Sequence, residues 1–180
     1  MAPDRRFAGG SAPLQISMDA IHNQAEDRAR LAARNDIITV LLADDDEDDQ
    51  MMTADALKSA NVASRLHCVA DGEELMDYLR HRGKYAFPAP SPRPGILLLD
   101  LNMPKKDGRE ALREIKADPE LRTIPVVILT TSKTEEDIER IYGLGANSYI
   151  SKPVSFEGLV HVMKVMNEYW FQIVRLPRGI

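Results

Sequence analysis

The sequence predicts an α/β fold in which a parallel sheet carries helices on both of its faces. Three observations lead there. Short apolar runs, Ile96–Leu99 and Pro125–Thr130 among them, carry no charge, as strands buried on both faces require. Segments with apolar residues at helical spacing follow these runs, so strand and helix alternate five times. Turn signals such as Asp71-Gly72, Met103-Pro104 and Asp107-Gly108 separate the segments.

The elements follow in order. Residues 1–35 read as an extension, flexible or marginally helical. Gly9-Gly10-Ser11-Ala12-Pro13 cannot build a core, and the stretch after it has a thin apolar face. The first strand runs from Ile37 to Ala43 and ends in an acidic run, Asp44, Asp45, Asp46, Glu47, Asp48 and Asp49. A helix from about Glu47 to Ala60 follows, with Met51, Ala54, Leu57 and Ala60 inward and an acidic first turn that suits the helix dipole. Ala63 to Val69 is a second strand. Leu75, Tyr78 and Leu79 then mark a helix to about Arg82. Pro88-Ala-Pro-Ser-Pro-Arg-Pro94 is a stiff, extended connector. The third strand ends at Asp100. Asp107 caps a helix to about Lys116, with Ala111, Leu112 and Ile115 inward. Strand four is Pro125 to Thr130. Thr134-Glu-Glu-Asp137 resembles a capping box, with Ile138, Ile141 and Tyr142 on one face, and Gly143 and Gly145 end that helix. Asn147 to Ser151 is the fifth strand. Ser155 opens the last helix through Leu159, Val162, Met163 and Met166. The domain proper spans residues 36–167, and residues 168–180 continue the last helix as a tail.

Composition narrows the function. At 180 residues the chain is one domain plus appendages. Its net charge of -5, from 23 basic and 28 acidic residues, argues against nucleic acid as a partner, because phosphate binding needs a basic face. No apolar run approaches the ~20 residues of a membrane helix. No apolar segment follows Arg5 and Arg6, as a secretory signal would require. The cytoplasm is the expected compartment. Cys68 is the one cysteine, so no intramolecular disulfide is possible, and it reads as a small buried hydrophobe.

The strand ends carry the chemistry. In a parallel sheet the carboxyl ends of the strands share one edge, where open α/β sheets place their sites. Strand one brings Asp44 and Asp45 there, strand three Asp100, strand four Thr130 and Thr131, and strand five Lys152. Singly, each has an ordinary solvated explanation. Together they form a chemical set. Clustered carboxylates repel, and a hard dication such as Mg²⁺ relieves that repulsion. A carboxylate can accept a phosphoryl group as an aspartyl phosphate. A hydroxyl and an ammonium can hold the transferred oxygens.

Four motifs in this order, Leu42-Ala43-Asp44-Asp45, Leu99-Asp100-Leu101-Asn102-Met103-Pro104 with Asp107-Gly108, Leu129-Thr130-Thr131 and Tyr149-Ile150-Ser151-Lys152-Pro153, make the segment from Ile37 to about Met166 resemble a response-regulator receiver domain. The resemblance implies a flavodoxin-like three-layer sandwich with strand order 2-1-3-4-5. It implies phosphoryl transfer from a histidine kinase to Asp100. It implies Mg²⁺ held by Asp45, Asp100 and the backbone carbonyl of Asn102, with Asp44 acting through water. Thr130, with Thr131 beside it, and Lys152 would meet the phosphoryl group, and Tyr149 would turn inward when Thr130 is recruited. The Lys152–Pro153 peptide would be cis. The proline-rich connector, the tail Glu168-Tyr-Trp-Phe-Gln-Ile-Val-Arg-Leu-Pro177, Pro104-Lys105-Lys106-Asp107-Gly108-Arg109 and Thr130-Thr131-Ser132-Lys133 resemble regulators that partner bacterial and cyanobacterial phytochromes. No DNA-binding or enzymatic output segment follows the last helix, so the expected output of a single-domain regulator is contact with a downstream protein or a phosphotransfer protein.

Two other classes fit less of the pattern. A haloacid-dehalogenase-like phosphatase needs an aspartate two positions after its nucleophile, where this chain has Asn102, and its acidic metal pair follows the nucleophile, whereas Asp44 and Asp45 precede Asp100. A phosphorylation-independent binding module would not need so complete a site.

The tail predicts a homodimer. Successive helical residues turn by about 100°, so Tyr169, Trp170 and Phe171 span about 200° of surface, and Ile173 and Val174 extend the band. At least one of the three aromatics, with Trp170 or Phe171 favoured, is expected to face outward and meet a second copy. The alternative is a tail folded back on its own domain, over the proline-rich connector.

Overall fold

The computed structural model describes residues 37–88, 91–132 and 134–177; the extension expected over 1–35 lies outside the described residues. Within them, β1 (Ile38–Ala43), β2 (Ser64–Val69), β3 (Ile96–Leu99), β4 (Val126–Thr130) and β5 (Ser148–Ser151) form one parallel sheet in the order β2-β1-β3-β4-β5. The helices are α1 (Glu47–Ser59), α2 (Gly72–Leu79), α3 (Gly108–Ala117), α4 (Glu135–Gly143) and α5 (Phe156–Met166). This is the flavodoxin-like sandwich.

Strand alternation divides the core in two. Side chains of one parity, Leu41, Leu97, Leu99, Val126 and Ile128, pack with Leu75, Tyr78, Leu112, Ile115 and Ile141 of α2, α3 and α4. Those of the other parity, Val40, Leu42, Ile96, Leu98, Val127 and Leu129, pack with Ala56, Leu57, Leu159 and Met163 of α1 and α5. Each fully buried aliphatic contributes roughly 1.5–3 kcal/mol of transfer free energy. Side-chain caps start the helices: Asp46, Asp71, Asp107, Thr134 and Ser155 each accept a backbone N–H from the first turn.

Several expectations are corrected. Of the α1 face Met51, Ala54, Leu57 and Ala60, Leu57 and Ala60 are buried, but Met51 is 64% exposed and Thr53 and Ala56 are buried in its place. Tyr142 is half exposed although Ile141 beside it is buried. Cys68 is exposed, since β2 is an edge strand that the helices cover incompletely. The Lys152–Pro153 peptide is trans, and among the described residues Phe87–Pro88 is the cis bond. Trans is the ground state of an X–Pro bond by about 0.5–1 kcal/mol.

The tail differs most. After α5 the backbone widens into π-helical turns, Asn167–Ile173. The wider turn rotates Trp170 and Phe171 onto the α1/α5 core, where both are partly buried. Tyr169 and Ile173, 50% and 66% exposed, take the outward positions expected of Trp170 or Phe171. Beyond the turn the chain returns to the sheet. Leu176 Cδ1 lies 3.3 Å from where a Cβ on Gly95 would sit, and Ile38 Cγ2 lies 2.9 Å from the same point.

Candidate functional site

Register assembles the site. Ala43 of β1 is paired with Leu99 of β3, so the next residues, Asp44 and Asp100, leave the sheet side by side. The Asp100 amide donates to the Ala43 carbonyl at 2.9 Å. On the other flank Thr130 is paired with Ser151, and the Lys152 amide donates to the Thr130 carbonyl at 2.7 Å. One carboxylate oxygen from each of Asp44, Asp45 and Asp100 lies within 4.8 Å of the others. Asp44 and Asp100 are buried and Asp45 is exposed.

Lys152 supplies the counter-charge. Its Nζ donates to Asp44 Oδ2 at 2.7 Å, Asp49 Oδ2 at 2.6 Å and Asp100 Oδ2 at 3.1 Å. Burial alone would lower the ammonium's pKa, but the bonds to Asp44 and Asp49 and the field of Asp100 outweigh it and raise the pKa above 10.5. Burial also raises the Asp44 carboxyl above 3.8, against the pull of Lys152. The two shifts have different causes, burial for Asp44 and the surrounding carboxylates for Lys152, and the site holds one ammonium against several carboxylates, two of them withdrawn from water. A divalent cation fits that surplus of negative oxygen, and Asp44, Asp45 and Asp100 are the residues that would hold it.

The loop after β3 is braced against Asp100. The Asn102 amide donates to Asp100 Oδ1 at 3.2 Å, which sets the Asn102 backbone beside the carboxylate. The Gly108 amide donates to the Leu101 carbonyl, and a Cβ on Gly108 would fall 2.1 Å from the Asp100 carbonyl oxygen and 2.8 Å from Leu101 Cα. Neither neighbour is a flexible side chain. Gly108→Ala should therefore destabilise the protein by about 2–3 kcal/mol, an overpacking cost. Urea unfolding reads this directly; an unchanged midpoint would mean that α3 moves away without loss.

Thr130 is fully buried, its Oγ1 accepts the Ser132 amide at 3.4 Å, and the neighbouring Thr131 is exposed. Tyr149 is half-buried, and its hydroxyl donates to the Ser132 carbonyl at 3.1 Å. The Ser132 hydroxyl donates to Asp137 Oδ2 at 2.7 Å. Asp137 also receives both Nε (3.0 Å) and Nη2 (2.8 Å) of Arg109. This chain of contacts joins the end of β4 to α3, α4 and β5. The Arg109 guanidinium, then the Ser132 hydroxyl, hold the Asp137 carboxyl down at about 2, against the ordinary 3.8.

A depressed carboxyl pKa contributes stability that is complete above 3.8 and is lost as pH falls toward 2. The pair is worth roughly 1–2 kcal/mol by linkage, nearer the lower figure because water reaches both side chains. Asp137→Asn should lose that amount at neutral pH, and its deficit should shrink below about pH 4. Urea midpoints across pH 3–7 test this; a deficit constant over the range would remove the ion pair as its cause.

The structure thus brings together Asp44, Asp45, Asp100, Thr130 and Lys152, with the Asn102 backbone adjoining, and sets Thr131 and Tyr149 on the rim. Tyr169, Trp170, Phe171 and Ile173 lie apart, on the α5 side. Three residues, Asp49, Arg109 and Asp137, join the site without a sequence signal of that role. Asp49 lies in the first turn of α1, inside the acidic run, where its side chain reaches Lys152. Arg109 and Asp137 are 28 residues apart, and no local pattern announces their pairing.

Comparison with known proteins agrees with this geometry. The profile of the response regulator receiver domain matches residues 40–164. Response regulator Rcp1 of Synechocystis sp. is 40% identical over 138 residues, which cover 77% of this chain and 92% of the relative. The crystal structure of the phosphorylated cyanobacterial phytochrome response regulator RcpA superposes with a TM-score of 0.73 at 42% identity, covering 79% of this chain and 99% of that one. The Mn²⁺-bound form of Rcp1 superposes with a TM-score of 0.72 at 39% identity, covering 78% and 99%. The chain belongs to the response regulator receiver domain family, whose function is phosphorylation on an aspartate by a kinase.

Proposed function

We propose that Asp100 is the aspartate that accepts the phosphoryl group, from a histidine kinase of the phytochrome type. The observation that carries this reading is the contact of one lysine, Lys152, with Asp100 inside a cluster of three carboxylates, at the carboxyl edge of the sheet. An Asp100 carboxylate oxygen attacks phosphorus while the bond to the kinase histidine nitrogen breaks, and the histidine leaves with the electron pair. Lys152 meets the charge on the transferred oxygens, and the Thr130 hydroxyl, with Thr131 beside it, binds another of them. Mg²⁺, held by Asp45, Asp100 and the Asn102 carbonyl, with Asp44 acting through water, would neutralise charge on the incoming phosphoryl group. Hydrolysis of the acyl phosphate returns Asp100 to its carboxylate. Recruitment of Thr130 draws on Ser132, whose carbonyl holds the Tyr149 hydroxyl, so Tyr149 follows.

The output in this reading is a protein contact in the cytoplasm, with a downstream protein or a phosphotransfer protein, made by a homodimer. Tyr169 and Ile173, with half-exposed Val165, form the outward surface for the second copy, and Trp170 and Phe171 anchor it from beneath. The resemblance to Rcp1 and RcpA supports a phytochrome kinase as donor. Phosphotransfer from a panel of histidine kinases, phytochromes included, under red and far-red light tests the reading. Transfer that tracks light and depends on Asp100 is the expected result; no transfer from any phytochrome would exclude that partner.

A further inference from the structure

Lys152 has a third partner that the phosphoryl chemistry does not call for. Its ammonium carries three N–H donors, and three carboxylates take them. Asp44 and Asp100 belong to the cluster whose oxygens lie within 4.8 Å of one another; Asp49 does not. Yet Asp49 makes the shortest of the three contacts, 2.6 Å against 3.1 Å for Asp100. Its backbone is fixed as well, since the Asp49 amide donates to the cap oxygen of Asp46 at 3.2 Å in the first turn of α1.

The ammonium has no spare donor. To meet a phosphoryl oxygen on Asp100 it must give up one of the bonds it has. A bound divalent cation would share the charge of Asp44 and Asp100, leaving Asp49 as the unshared anion on Lys152. Asp49 also repels the added negative charge of a phosphoryl group. Both effects act in one direction. Resting on the reading of Asp100 as acceptor, we propose that Asp49 is a positioning residue: it holds Lys152 in its resting place and so weakens the grip of the site on a phosphoryl group.

Beryllofluoride, titrated calorimetrically at saturating Mg²⁺, is the probe. Asp49→Asn should bind it more tightly than wild type, by roughly three- to tenfold, the span of one charge-assisted hydrogen bond within reach of water. Asp49→Glu should return affinity toward wild type. Asp48→Asn removes an exposed neighbouring charge that makes no contact with Lys152, and should change affinity by less. In a Lys152→Met background, Asp49→Asn should have no further effect. As an independent readout, the Lys152 ammonium resonance in lysine-selective ¹H–¹⁵N spectra should shift or broaden in Asp49→Asn and not in Asp48→Asn. Equal or weaker beryllofluoride binding by Asp49→Asn would overturn the proposal. So would an effect that Asp48→Asn reproduces, one that survives without Lys152, or an unchanged ammonium signal. If wild type itself fails to bind beryllofluoride, the acceptor reading falls and takes this proposal with it; that result differs from tight wild-type binding that is indifferent to Asp49.

Discussion

Asp100→Asn should reduce phosphorylation to background and leave the fold intact. An amide nitrogen or oxygen at this position cannot act as the acceptor carboxylate does, so kinase labelling should fall by about a thousandfold or more, the scale of losing a nucleophile rather than weakening a contact. Stability should move the other way. The substitution removes one charge from beside buried Asp44. It also removes the longest of the three Lys152 contacts, at 3.1 Å. The amide oxygen can still accept from the Asn102 amide, so the β3 loop keeps its brace. In chelator-containing buffer the net change should lie between zero and a gain of about 1 kcal/mol. Phosphotransfer and urea unfolding, run on the same preparation, check both halves. Normal labelling would remove Asp100 from the acceptor role, and a loss of several kcal/mol would show that the Lys152 contact outweighs the repulsion.

Lys152→Met should have the largest effect on stability. Lys152 is only 11% exposed at its side chain, and it pairs with Asp44, whose side chain is 1% exposed. Taking away one partner of a buried pair leaves the other uncompensated, typically at about 3–5 kcal/mol. Partial exposure of Asp49, and protonation of Asp44, should hold the loss here to about 2–4 kcal/mol at neutral pH without metal. The sign of the pH dependence follows from Asp44. Burial already raises its carboxyl above 3.8, and without Lys152 it rises further. The folded variant then binds more protons than its unfolded chain, so its stability falls as pH rises. Relative to wild type, the deficit should narrow on acidification from pH 7 and on addition of Mg²⁺, which replaces the missing positive charge. Denaturation midpoints at pH 5 and 7, with and without Mg²⁺, measure it. A deficit indifferent to both would trace the loss to packing of the lysine stem.

How much of this was legible in the sequence depended on whether the information is local. Strands β1, β3 and β4 announce themselves because burial on both faces demands unbroken apolar runs. The caps Asp107, Thr134 and Ser155 are equally local, one oxygen serving an amide three residues on. Strand order is not local. Alternation of strand and helix implies a parallel sheet, but the arrangement 2-1-3-4-5 came from the resemblance of the motifs. The inward face of α1 is legible in part: Leu57 and Ala60 are buried, but helical spacing alone does not show that Thr53 and Ala56, and not Met51, complete the face. In the tail one aromatic does face outward, but it is Tyr169 and not Trp170 or Phe171, because a step of about 100° per residue does not hold in a π-helical turn. Within the site the strand-end residues could be named from sequence. The pairing of Lys152 with Asp49, 103 residues apart, could not.

The division of the core by strand parity makes the sheet a partition. Ser132, Tyr149, Arg109 and Asp137 form the contact chain on the side of α3 and α4, whereas the π-helical turn rests on the opposite layer with α1 and α5. Hydrogen exchange on loading the site should accordingly be lopsided, with protection changing across α3, α4 and β5 while the amides of α1 beyond its first turn hold steady. A message bound for the tail has no route over that rim alone. The strands β4 and β5, whose ends carry Thr130 and Lys152 and whose residues reach both layers by turns, supply one route, and the Lys152–Asp49 contact into α1 supplies another.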